Sequence, residues 1–270
     1  VTMYGLIDAS VRHASNAITP SGVDNTDLGD GIFTGSRWGL RGREDIGGGL
    51  RAFFTLEAGF DPSNGQITQT TTTTDYGQAA GTRFFGREAT VGLGNAWGSV
   101  KAGRQFTVAH VISGIFQPQG NPNNAALGIF STHHIARQDN LVRVDATLGD
   151  VQLLGGYTFG GQPDMSANAT SALGATYTKG DIAVGGYVQS MNNVTDTETR
   201  KIYGLGGNYK ITKDFVAFGG YMHRSAEVSL QENSVWTLGA NYEITPQVQL
   251  SAGYLSDDQS GSAALDGSRT

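Results

Sequence analysis

Strict two-residue alternation, sustained over runs too long for an ordinary soluble sheet, constrains this chain more than any other feature. Residues 36–60, SRWGLRGREDIGGGLRAFFTLEAGF, hold two such runs around a Gly-rich turn. Trp38 and Leu40 alternate with Arg37, Gly39 and Arg41. Ala52, Phe54, Leu56, Ala58 and Phe60 alternate with Arg51, Phe53, Thr55, Glu57 and Gly59. Each run therefore has one apolar face and one mostly polar face. A soluble sheet buries its apolar face. A membrane barrel turns that face out to lipid and keeps the arginines around water.

Similar runs are expected at 2–14, 36–46, 49–60, 84–95, 98–106, 139–149, 151–160, 169–179, 182–192, 199–211, 214–225, 232–244 and 248–257, thirteen in all. Most hold 9–13 residues. A soluble strand averages about 5–6 residues, whereas a tilted strand crossing a bilayer needs about 9–11. The connections alternate in size. Short ones are 46–48, 95–98, 148–150, 179–181, 211–214 and 244–247; long ones cover 15–35, 61–83, 107–138, 161–168, 193–198 and 226–231. Tight turns at one end and loops at the other are the mark of an up-and-down transmembrane barrel. Consecutive hairpins without a helix also favour closure, because closure removes exposed strand edges.

Composition agrees and excludes other classes. Hydrophobic content is 38% with 40 glycines in 270 residues, and no apolar run approaches the ~20 residues of a transmembrane helix. Cysteine is absent, so there is no disulfide framework and no thiolate metal site. Net charge is −6 without a Lys/Arg cluster, which argues against a nucleic-acid partner. No cofactor motif is present. Adjacent His133 and His134 would point apart on a strand and have no evident third ligand, so no metal is expected. Aromatic residues such as Tyr157, Phe159, Tyr242 and Tyr254 share the apolar faces of their strands, as interfacial girdles do. The Thr tract at 70–74, within TQTTTTT, reads as a solvated loop or as one that reaches a neighbouring subunit.

Three segments resemble a known family: VTMYGLIDASV at the start, SRWGLRGREDIGGGLRAFFTLEAGF, and REATVGLGNAWGSVKAGRQ. They look like the opening five strands of the Gram-negative trimeric porins. The resemblance is strong over residues 1–107 and persists as strand pattern to about 258. It implies an all-β, 16-stranded transmembrane antiparallel barrel, a single porin domain over 1–270, and residence in the outer membrane among lipid and lipopolysaccharide. It further implies a homotrimer and passive diffusion of small hydrophilic solutes and ions. About 13 of the 16 strands are then present. An odd count cannot close antiparallel on strand one, and the polar tail 256–270 lacks a terminal aromatic, so about three further strands are expected and a gap between first and last.

The resemblance places a third loop, here 105–138, inside the lumen as a constriction. Its residues give a separate reason: Val108, Val111, Ile112, Ile115, Phe116, Leu127, Ile129 and Phe130 suit a loop packed on an inner wall, not one in water. The span has no Asp or Glu; its ionisable side chains are His110, His133, His134 and Arg137. By position, Arg37, Arg87 and Arg137 match the constriction arginines of anion-selective family members. Arg137 has the inward parity of Arg143. Arg87 has the parity of Ala89, Val91 and Leu93, so its inward direction requires a bulge or change of direction near Gly86. Arg41, Arg143, Glu57 and Asp8 are further candidates to line the pore, the acids weakening anion preference. Screening over ~8 Å hides distant loop carboxylates from the neck. A non-conducting structural or adhesive barrel is the alternative; an enzyme is disfavoured, since no nucleophile motif is recognisable.

Overall fold

The computed structural model describes residues 1–18, 23–31, 33–118, 120–121, 129–261 and 267–269. It is an antiparallel meander. β1 (Thr2–Leu6) pairs with β4 (Arg37–Gly47), and pairing then runs in chain order through β5 (Leu50–Gly59), β6 (Glu88–Gly94), β7 (Gly98–Phe106), β8 (Arg137–Leu148), β9 (Val151–Thr158), β10 (Thr170–Lys179) and β11 (Ile182–Asn192). It continues through β12 (Thr199–Lys210), β13 (Phe215–Ala226), β14 (Glu232–Thr245), β15 (Val248–Ser260) and the short β16 (Gly267–Arg269). Among the described residues, β1 and β16 are the sheet's two edges. The β4–β5 turn needs its glycines: Gly47, Gly48 and Gly49 have φ of 87°, 63° and 78°, which side-chain-bearing residues rarely adopt.

Two connections hold structure the sequence did not announce. The first strand breaks at Ile7–Asp8, and β2 (Ala9–Ile18) pairs with β3 (Val23–Asp30) as a separate hairpin, locked by an Arg12–Asp27 ion pair. The 105–138 span, expected without regular structure, carries α1 (Val108–Ser113), a 3-10 turn (Gly114–Phe116) and α2 (Ile129–His134). Thr107 caps α1 by accepting from the His110 N–H at 3.2 Å. Each helix is too short to be stable alone and persists by packing. Leu127 lies outside the described residues, as does the side chain of Ile129.

The two sheet faces answer the question of where the core is. The outward face stays bare: Val91, Leu93, Val144, Leu173, Val188, Leu205, Leu238 and Leu250 are exposed. The inward face holds what core there is. Val108, Ile112, Phe116 and Phe130 of the loop cluster with Leu154, Ala172, Tyr187, Met191, Ile202, Met222 and Val235 of β9–β14. One short segment touching inward residues of six successive strands requires the sheet to curl around it. Glycines make the seat. A Cβ on Gly206 or Gly220 would stand 2.5 Å or 2.4 Å from the Phe116 ring, one on Gly174 2.3 Å from Ile112, and one on Gly239 2.2 Å from Pro118.

Candidate functional site

Arg37, Arg87 and Arg137 come from three separate places in the chain and lie side by side: Arg37 and Arg87 meet on one carboxylate, and Arg137 bonds the backbone of Arg87. Glu57, inward on β5, accepts from Arg87 Nε at 2.7 Å and from the Tyr4 hydroxyl at 2.9 Å. Arg37 Nη1 lies 3.9 Å from the same Glu57 oxygen, and Arg37 also donates to Thr34 Oγ1. Arg87 reaches this place because it is not on the strand. It precedes β6 in a bend, its backbone N–H donating to the Glu57 carbonyl at 3.1 Å, so the parity of Ala89 does not bind it.

Arg137 is held by its neighbours' backbone and rings. Its Nε donates to the Arg87 carbonyl at 2.9 Å, its Nη1 to Gln69 Oε1 at 3.1 Å, and its guanidinium lies 4.0 Å over the Phe106 ring. Phe106 stacks in turn on His110 of α1 at 4.4 Å. The strand is irregular here: a bulge interrupts the β7–β8 register between Gly103 and Gln105, and Asn140 has φ of 52°. Arg137 and Gln138 are consequently both buried.

The remaining candidates are distributed. Arg143 forms a bidentate pair with Asp145, both bonds at 2.9 Å. Arg41 is exposed with its guanidinium 5.3 Å over the Tyr4 ring. Asp8 sits in the β1–β2 break and accepts from the Thr34 N–H at 3.1 Å, tying down the first long loop.

Sequence reasoning missed several members. Arg104 and Arg83 both pair with Asp139, at 2.9 Å and 2.8 Å. Asp139 follows the carboxylate-free span by one residue, and its closeness to Arg137 was the available signal. Gln69 and Tyr76 come from the Thr-rich loop, which folds back over its own chain: Gln138 donates to the Tyr76 carbonyl at 2.8 Å, and the Gly77 N–H donates to Asn168 at 2.8 Å. No composition signal marks that fold-back. The local balance is five guanidiniums (Arg37, Arg83, Arg87, Arg104, Arg137) against three carboxylates (Glu57 and Asp139, with Asp30 within electrostatic reach of Arg37).

The histidines of the loop are packing groups. Burial, reinforced by His133, pushes the His134 imidazole down to about 3. Burial, with repulsion from His134 and Arg137, holds His110 well below the ordinary range. Both rings are therefore neutral, bonded to each other at 3.2 Å. His133 contacts Asp257 and Arg224, each at 3.0 Å. Among the described residues no group of three or more His, Asp or Glu side chains could hold a metal ion.

An antiparallel meander with a bare apolar exterior, a charged interior and a loop lodged inside defines a β-barrel of the outer membrane. The chain belongs to the Gram-negative porin family, whose model matches residues 1–270. It is 32% identical over 244 residues to an outer membrane porin protein of Bordetella pertussis, covering 77% of this chain and 60% of that protein. It is 38% identical over 106 residues to outer membrane porin protein 32 of Delftia acidovorans, covering 39% of this chain and 26% of that one. The chain thus spans less than two thirds of the length of these relatives. Among solved structures it resembles an anion-selective porin from Comamonas acidovorans, with a TM-score of 0.73 at 20% identity, covering 99% of this chain and 80% of that chain.

Proposed function

We propose that the protein is a passive diffusion channel for small hydrophilic solutes, that it prefers anions, and that Arg37, Arg87 and Arg137 form its constriction. In this reading 1–270 acts as one porin domain, 105–138 is the constriction loop, and the working unit is a homotrimer set in outer-membrane lipid and lipopolysaccharide. The observation that carries the reading is that Arg37 and Arg87 meet on the carboxylate of Glu57 while Arg137 is bonded to the backbone carbonyl of Arg87 beside them, next to a loop with no Asp or Glu. A permeating anion within about 4–6 Å of such a group gains roughly 1 kcal/mol or more per guanidinium, depending on the local dielectric. A cation loses the same. Arg41 lines the wider lumen on the same face, and Arg143, buried and paired with Asp145, contributes less.

The experiment is Arg137→Glu, read as the zero-current potential across a KCl gradient in planar bilayers. The substitution exchanges a fixed positive field for a negative one, so the potential moves toward that of potassium. An unchanged potential removes Arg137 from the constriction.

A further inference from the structure

Four strands beyond β8, the lumen face carries a second group of arginines, a pair in which one member, Arg200, has no hydrogen-bond acceptor among the described residues and the other keeps a buried, unpartnered Nε. Arg200 is the second residue of β12 and Arg224 lies near the end of β13. The register pairs Arg200 with Ala226 and Ile202 with Arg224, so the two are diagonal neighbours. They share the inward parity of buried Ile202 and Met222. Tyr76, from the folded-back loop, lies beneath Arg200, whose guanidinium is 3.9 Å over the ring. Tyr76 is also within electrostatic reach of Arg224.

Arg224 is fixed in place, donating to Gln231 Oε1 at 2.7 Å and contacting His133 Nδ1 at 3.0 Å. Arg200 is fixed only by the ring. No hydrogen bond or ion pair joins it to any described residue, and the buried Nε of each arginine also meets no acceptor. Glu198 and Asp257 act on the pair through their charge, but their described hydrogen bonds go to other groups. Glu198 accepts the Val228 and Ser229 N–H groups, both at 2.8 Å, and Asp257 is held by His133 and by Asn233 at 2.8 Å. Two guanidiniums held side by side repel each other, and a half-buried guanidinium without acceptors loses hydration uncompensated. A planar or tetrahedral oxyanion resolves both.

We propose that Arg200, Arg224 and Tyr76 form a second anion station in the lumen, taking a small solute that carries a carboxylate or phosphate group. Arg200 supplies the free N–H groups, Arg224 the neighbouring positive charge, and Tyr76 the platform that keeps Arg200 extended. The station rests on the reading of this face as a water-filled channel. It would concentrate oxyanions at the long-loop end of the wall, where β12 begins and β13 ends.

The test is calorimetric titration of the full, folded protein in detergent micelles at low salt, with inorganic phosphate, succinate and, as control, chloride as probes. Phosphate or succinate should bind saturably. Arg200→Gln should weaken that binding by about tenfold, the cost of losing a charged hydrogen-bond donor. Arg200→Lys, which keeps charge and fold, should fall between, and Arg137→Gln should change it by less than about threefold. Binding of one probe alone assigns the station to that class. Equal binding by the native protein and Arg200→Gln overturns the proposal, as does a loss that follows Arg137→Gln alone. Bilayer recordings on the same preparations separate the two readings. Lack of chloride preference would sink the constriction while leaving the titration to decide the station.

Discussion

The inner faces of β4–β8 and of β9–β14 have the same pleat and opposite chemistry. On β4–β8 the inward positions carry Arg37, Glu57, Glu88, Lys101, Arg143 and Asp145, and these are joined in ion pairs: Arg37 with Glu57, Lys101 with Glu88 and Arg143 with Asp145. On β9–β14 they carry Gly174, Gly206, Gly220 and Gly239 among Leu154, Met191, Ile202 and Val235, and these are covered by the loop. Alternation alone fixes which residues face inward. Side-chain volume then decides what the inside becomes: charged side chains leave a channel, and glycines make a socket. The loop is pinned on the socket side and delivers Arg137, through Phe106 and His110, to the charged side.

The largest expected effect lies in the socket. Phe116, fully buried over Gly206 and Gly220, should cost about 3–5 kcal/mol of folding stability when replaced by Ala. Leu205→Ala, on the lipid side of β12, should cost much less, because Leu205 already faces outward. Urea unfolding from vesicles measures both, and equal costs would break the distinction between socket and lipid face.

Next comes Gly220→Val. Its Cβ meets the Phe116 ring at 2.4 Å, so the loop must lift, at about 1–3 kcal/mol. Single-channel conductance should rise as the lumen widens. Gly155→Ala, whose Cβ meets nothing closer than Leu173 at 3.4 Å on the outer face, should leave conductance alone.

These glycines also show where the sequence was silent. Outward residues were legible because lipid demands an apolar side chain at every second position, as Leu173, Leu205 and Leu238 display. Glycine carries no such mark, so the loop's apolar residues could be read as buried but not which strands would receive them. Arg37 and Arg143 were legible by parity. Arg87 was legible only by resemblance, since it stands off the strand. Gln69, Tyr76 and Arg104 depend on a loop folding back and on a bulge, and neither leaves a local pattern. The β2–β3 hairpin was missed because VDNTDLGD reads as loop by composition, although Arg12 and Asp27 secure it.

A smaller effect sharpens the charged side. Glu57→Gln removes the carboxylate at the centre of the arginines and should raise chloride preference by about twofold at the neck. A shift toward potassium would mean that Glu57 acts mainly by holding Arg37 and Arg87 in place.

A separate expectation concerns pH and the loop rather than the charged side. His134 titrates near 3 in the folded loop, against about 6.5 in an unfolded chain. Its folded value is depressed, so packing is unaffected above about 6.5 and is weakened progressively as pH falls from there toward about 3. His110 acts in the same direction. Amide exchange in 108–116 should therefore quicken from about pH 7 to about pH 4 once corrected for intrinsic rates. Constant protection across that range would contradict the neutral assignment of the pair.

The most direct measurement is the zero-current potential of the unmodified protein in a planar bilayer across a KCl gradient. The proposed arginine constriction, beside a loop with no Asp or Glu, predicts a potential displaced toward that of chloride. A potential displaced toward that of potassium would contradict the account.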